Sequence, residues 1–209
     1  RIAEGFRWTA SIESPGAVGV RIHFSILVLP DDATLTISGL TGDQFSYSGR
    51  GPDGTGEFWS NTIRGDKVNL TVDYAGRNLG RVLQALRLAI PEIGPLGPRF
   101  PISQPEAGNE LCSYNENCVV NASCQSESPV ADAKKAVAMI LFISGPYQYV
   151  CSGGLIANGA TGRDNPYFIT ANHCLSSGSE ASTVEAYFAF TTACGNCNDT
   201  LDNGPRVLG

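Results

Sequence analysis

Pro166-Tyr167-Phe168-Ile169-Thr170-Ala171-Asn172-His173-Cys174 is a short apolar run that closes on a histidine and a cysteine. Its length and composition suit one β-strand, and a histidine beside a cysteine at a strand end suits a catalytic base anchored by a disulfide. Upstream, Tyr149-Val150-Cys151-Ser152-Gly153-Gly154-Leu155-Ile156 supplies a second strand with its own cysteine. Acyl transfer by a hydroxyl nucleophile needs that hydroxyl, an imidazole to take its proton, and a carboxylate to hold the imidazole's tautomer and orientation. Of these, the chain offers a convincing candidate only for the imidazole, His173.

Working outward, Ala133 to Ser144 reads as a buried strand, because Ala136 to Ile143 is almost wholly apolar. Gly145-Pro146 turns it into Tyr147 to Ile156, a loop follows over Ala157 to Asn165, and Val184 to Phe190 forms another strand after the histidine. Three of these stretches carry a family pattern: Cys151 to Leu155, Tyr167 to Cys174, and Val184-Glu185-Ala186-Tyr187-Phe188. Together they resemble the Cys-Thr/Ser-Gly-Gly/Ser-Leu, Tyr-Phe-Leu/Ile-Thr-Ala-x-His-Cys and Glu/Val-x-Tyr strands of the trypsin-like serine peptidases, in the bacterial lysyl-endopeptidase-like branch.

The resemblance covers residues 110–200 or so and implies an amino-terminal half of a trypsin-like peptidase domain over residues 112–209. In that half, four strands belong to the first, partial barrel of a chymotrypsin-like fold. It implies that His173 is the general base and that Cys151 pairs with Cys174. It also implies that the Asp and Ser partners, the oxyanion hole and the substrate pocket belong to sequence after Gly209. Asp199 and Asp202 come too early to be the family's aspartate, and Ser152 is a strand residue rather than a Gly-Asp-Ser-Gly nucleophile. The expectation is a serine endopeptidase when full length, inactive as 209 residues alone, with a polypeptide substrate and no cofactor. The competing expectation is a non-catalytic binding, inhibitory or self-assembling module, forming homo-oligomers through exposed strand edges.

Seven cysteines, none in the first 111 residues, point to a disulfide-stapled second domain in an oxidising compartment, hence secretion to the exterior or periplasm. An odd number leaves at least one without a partner in the chain. By resemblance that one is Cys112, and Cys118 and Cys124 bond to Cys194 and Cys197 in an order left open. Read without the family, Cys194-Gly195-Asn196-Cys197 is half a zinc site or a redox pair, but no second pair has zinc spacing and no βαβ context surrounds it. No metal site is expected.

A hydrophobic content of 42% with 16% charged residues describes a chain able to bury a core. The net charge of −6 and only 14 Lys and Arg argue against nucleic acid as a partner, and no apolar run is long enough to span a bilayer. An all-β fold is expected, with an antiparallel β-sandwich over residues 1–92, a Pro/Gly-rich linker over 93–111, and the partial barrel beyond. Candidate sandwich strands are Trp8 to Ile12, Gly19 to Leu29, Thr34 to Ser38, Gln44 to Ser48, Glu57 to Asn61, Lys67 to Tyr74 and Leu83 to Ile90.

Trp8, Phe24, Phe58 and Trp59 are the aromatics such a sandwich would bury, although an exposed Trp59 could instead stack on a sugar. His23 alternates against Ile22 and Phe24 and reads as a structural strand residue. Gly49-Arg50-Gly51-Pro52-Asp53-Gly54 spells a dinucleotide fingerprint, but Pro52 and Asp53-Gly54 favour a turn between strands where the phosphate-binding version needs a helix. The segment also resembles the β-rich region that precedes trypsin-like domains in secreted bacterial peptidases, through Arg-Ile-His-Phe, the Gly-x-Gly-Pro-x-Gly loop and Gly-Glu-Phe-Trp.

Overall fold

Strict alternation fixes the centre of the first unit. In the computed structural model, which describes residues 5–98, 120–156, 167–191, 194 and 205–209, Lys67–Ala75 buries Val68, Leu70, Val72 and Tyr74 and turns the residues between them outward. The chain is all-β in class and divides into two units, Arg1–Ser103 and Gln104–Gly209.

The first unit runs β1 (Gly5–Glu13), β2 (Gly19–Phe24), β3 (Ile26–Val28), β4 (Ala33–Ser38), β5 (Gln44–Tyr47), β6 (Phe58–Trp59), β7 (Ile63–Arg64), β8 (Lys67–Ala75), α1 (Leu79–Ala85), β9 (Arg87–Ala89) and β10 (Glu92–Leu96). One antiparallel sheet has the order β1-β8-β4-β5. A second has β10-β2-β6, with β7 also on β2. Leu35 sits opposite Val72 and Ile37 opposite Leu70, so one face of the first sheet is wholly apolar. Against it lie Val20, Ile22, Phe24 and Ile63 of the second sheet, all fully buried. Phe24, Tyr47 and Phe58 join the sheets, with ring centroids 5.0 to 6.3 Å apart. The Tyr47 hydroxyl stays satisfied in this core, donating to Asn61 Oδ1 at 3.1 Å and accepting from the Asn61 amide at 3.0 Å.

Several expectations change on contact with this sandwich. Gly19 to Leu29 is two strands, because at Ser25 the chain leaves β2's sheet and β3 pairs with β9. Leu83 to Ile90 is mostly not a strand: Leu79, Val82, Leu83 and Leu86 recur at helical spacing, and α1 forms with Val82 buried. The Pro/Gly-rich stretch begins as a strand, since Glu92–Leu96 pairs with β2 and a terminal strand tolerates Pro95's missing N–H.

Trp8 is 44% exposed, against expectation. Its register opposite Val72 puts it on the core face, but β1 is the terminal strand of its sheet and none of its residues is fully buried. Trp59 is half-buried rather than core.

The glycine-rich loop is a β-turn region joining β5 to β6. Gly51 has φ +83°, and a Cβ there would collide with the Phe58 ring. Arg50 clamps the loop through the Gly54 and Thr55 carbonyls, and Asp53 Oδ1 accepts from the Thr55 amide and hydroxyl.

The second unit contains α2 (Ser128–Ala136), β11 (Val137–Ser144), β12 (Tyr147–Ile156), β13 (Tyr167–Thr170), α3 (Gly178–Ala181), β14 (Glu185–Phe188) and β15 (Arg206–Leu208). The strands form one antiparallel sheet in the order β13-β12-β11-β14-β15. The expected strand from Ala133 starts only at Val137. Pro129 opens a helix in its first turn and Ala131, Ala133, Lys134, Lys135 and Ala136 extend it. One sheet face carries Ala138, Ile140, Phe142, Ala186 and Cys151 in register, and these pack with Phe168, Cys174, Leu175, Val184 and Phe188 as the core.

Candidate active site

β13 and the turn that ends it place His173. Thr170 Oγ1 donates to the Ser152 carbonyl at 2.8 Å, holding the strand end to β12. The Ala171 carbonyl then accepts from the amides of Cys174 at 2.9 Å and Leu175 at 3.3 Å, which closes a single tight turn. That turn sends consecutive side chains in opposite senses: Cys174 goes into the core at 5% exposure, and His173 faces solvent.

Cys174 is disulfide-bonded to Cys151 across a sequence separation of 23, with Cα atoms 6.3 Å apart. The bond lies in the apolar core beside Ile140 and Phe168. One imidazole nitrogen of His173 and both sulfurs fall within 4.8 Å of one another. A metal would need free thiolates there, and both sulfurs are consumed by their own bond. Among the described residues no hydrogen bond or ion pair reaches the His173 ring, and the residue is exposed.

The segment after the histidine is fastened by Glu180. Its carboxylate accepts from the Ser144 hydroxyl at 2.6 Å, the Ser176 amide at 2.8 Å, the Ser176 hydroxyl at 3.0 Å and the Ser177 amide at 3.0 Å. These donors, led by Ser144, hold the carboxyl down at about 2. Ser177 completes a capping box by accepting from the Glu180 amide at 3.2 Å. The sequence carries this as Ser177-x-x-Glu180, an N-cap signature rather than a catalytic motif.

A buried carboxylate lies in the Val184 to Phe188 stretch. Glu185 is fully buried, accepts from the Tyr187 hydroxyl at 2.9 Å and lies 3.9 Å from Arg206 of β15. It ties that last strand to the sheet.

The other candidate residues fall elsewhere. Ser152 follows Cys151 on β12 and so points to the opposite sheet face from the disulfide. His23 belongs to the first unit, where its Nδ1 lies 3.0 Å from Glu92, its Nε2 lies 3.5 Å from Glu57, and its ring stacks on Trp59 at 4.9 Å. His23 thereby covers one face of the indole that a sugar would need. Cys124 is bonded to Cys194, which resolves half of the pairing left open. Cys112, Cys118, Cys197, Asp199 and Asp202 lie outside the described residues, as does the loop after β12.

Comparison with known proteins agrees with this geometry. Residues 113–208 match the family described as lysyl endopeptidase, C-terminal domain. The chain is 31% identical over 210 residues to a lysyl endopeptidase of Pseudomonas aeruginosa, an alignment covering 94% of this chain and 43% of that protein. The chain therefore spans less than half the length of the relative it matches. No solved structure matches it. With a disulfide-bonded cysteine next to the histidine at the end of β13, an antiparallel sheet around it and the match over the same residues, the findings support a lysyl-endopeptidase-like family of chymotrypsin-fold serine peptidases for this chain.

Proposed function

We propose that the chain is the amino-terminal portion of a secreted serine endopeptidase in which His173 is the general base. The observation that carries this reading is the opposed placement of neighbours: Cys174 is locked into the core through Cys151, and His173, one residue earlier, is held out to solvent on the same rigid turn. In the reaction, the imidazole takes the proton of a serine hydroxyl as its oxygen bonds to a peptide carbonyl carbon. It returns that proton to the amine as the C–N bond breaks. An aspartate orients the ring from its other nitrogen.

We assign that serine, the aspartate, the oxyanion hole and the substrate pocket to polypeptide following Gly209. The relative's additional length gives room for them. On this reading the 209 residues alone have no peptidase activity. Two disulfides favour an oxidising destination, outside the cell or in the periplasm. No helix among the described residues is long and apolar enough to cross a membrane.

The test is intact mass and terminal sequencing of the native gene product, followed by fluorophosphonate labelling of that product and its His173→Ala variant. The expected result is a longer product that labels on a serine, with His173→Ala lowering peptide hydrolysis by at least about 1,000-fold. Unchanged hydrolysis in the variant sinks the proposal.

One observation favours a second reading, self-association. β13 is a terminal strand of its sheet and exposes Tyr167 at 62% and Ile169 at 57%. Sedimentation showing only monomer at all concentrations removes it.

A further inference from the structure

We infer that the second unit carries a binding site for an aliphatic carboxylate, in a cleft of about 330 Å³ between α2, the Ala122–Cys124 turn and the chain leaving β14. Its walls are largely apolar: Val130 and Ala133 of α2, Val137 and Met139 of β11, and Ala189 and Phe190. Val130 and Val137 remain 37% and 53% exposed, so the cleft leaves apolar surface in contact with water. A ligand with an apolar body would cover it.

Polar character is confined to a few groups, namely the Ser152 and Thr191 hydroxyls and the ammonium of Lys134. Among the described residues Lys134 is the charged member of the lining, and no carboxylate opposes it. Its Nζ donates to the carbonyls of Ala122 and Gln125, each at 3.0 Å. An ammonium has three protons, so these two bonds hold the head beside Ala122, itself part of the lining, and use two of its three donors. The complement of one oriented cation on an apolar wall is a chain with one anionic end. A second brace keeps the walls in register, because Cys124 on the turn is bonded to Cys194 beyond β14.

The cleft has room for a short aliphatic chain, and octanoate serves as the probe.

The experiment is titration of the 209-residue chain with octanoate, octan-1-ol and octylamine, read by amide chemical shifts. Octanoate is expected to saturate with shifts at Ala122, Ala133, Met139 and Thr191 and to bind about ten-fold more tightly than the alcohol, with the amine weakest. Ala133→Trp, at an exposed helix position, fills the cleft and removes octanoate binding without changing the circular dichroism. Lys134→Met erases the preference for acid over alcohol. Should that variant misfold, the comparison of three ligands on the unaltered chain decides. Equal binding of all three, shifts centred on Tyr167 and Ile169, or octanoate binding retained by Ala133→Trp each overturns the inference.

Discussion

Ser144, the last residue of β11, donates its hydroxyl to Glu180 of α3 at 2.6 Å, so one carboxylate joins the β11–β12 turn to the chain that follows His173. Three further donors from Ser176 and Ser177 converge on the same group. The arrangement favours the ionised form in the folded state, which lowers the carboxyl from its ordinary 4.5 to about 2.

Acid should therefore loosen this turn. A carboxyl whose folded value is depressed contributes its stability in full above the unfolded value and loses it as pH falls through the folded one, here between 4.5 and about 2. Denaturation midpoints measured from pH 7 down to 2.5 should fall across that window, and Glu180→Gln should flatten this part of the profile while lowering stability at pH 7. An unchanged acid limb in the variant would show that the carboxylate is not coupled to folding.

The Cys151–Cys174 bond should be the main covalent support of the histidine turn. Closing a loop with a sequence separation of 23 predicts about 3 kcal/mol lost in the Cys151→Ala/Cys174→Ala double variant. Urea denaturation checks this, and a loss below about 1 kcal/mol would mean that apolar packing alone holds the turn.

His173 is exposed, and among the described residues its ring makes no hydrogen bond or ion pair. His173→Ala should shift stability by no more than about 0.5 kcal/mol, so that any loss of hydrolysis in the longer product is chemical rather than structural. Thermal melts of the two proteins compare directly.

Asp43 anchors the β4–β5 turn through Arg64, accepting from its main-chain amide at 2.8 Å, its Nε at 2.9 Å and its Nη2 at 2.9 Å. The aspartate side chain is 2% exposed and the arginine 34%. Asp43→Ala removes the buried acceptor of three hydrogen bonds from Arg64, one of them from its main-chain amide, and should cost about 2–3 kcal/mol in denaturant titrations.

Two aromatics that read alike in sequence should behave differently. Phe24→Ala empties a fully buried position between the sheets and should cost about 3–5 kcal/mol, whereas Trp8→Thr on the terminal strand should cost about 1 kcal/mol. Comparable losses for both would place Trp8 in the core after all.

What local order could determine was legible without coordinates. Val68 to Tyr74 alternates with the period of a pleated strand, and that period is written residue by residue. The strand-end position of His173 was likewise legible, since strand, histidine and cysteine are contiguous. Other features depend on partners distant in sequence. Cys124 bonds to a cysteine 70 residues away, and spacing alone could not choose between Cys194 and Cys197. Trp8 has a core-facing register yet is 44% exposed on a terminal strand, and Ala133 to Ala136 leads into an apolar strand yet follows Pro129 as helix. Sequence by itself thus settled the periodic strands and the strand-end position of His173 beside its cysteine, because backbone period and contiguous motifs are properties of neighbours. Tertiary structure decided burial, strand ends and disulfide partners, because each is fixed by what another part of the chain brings within contact distance.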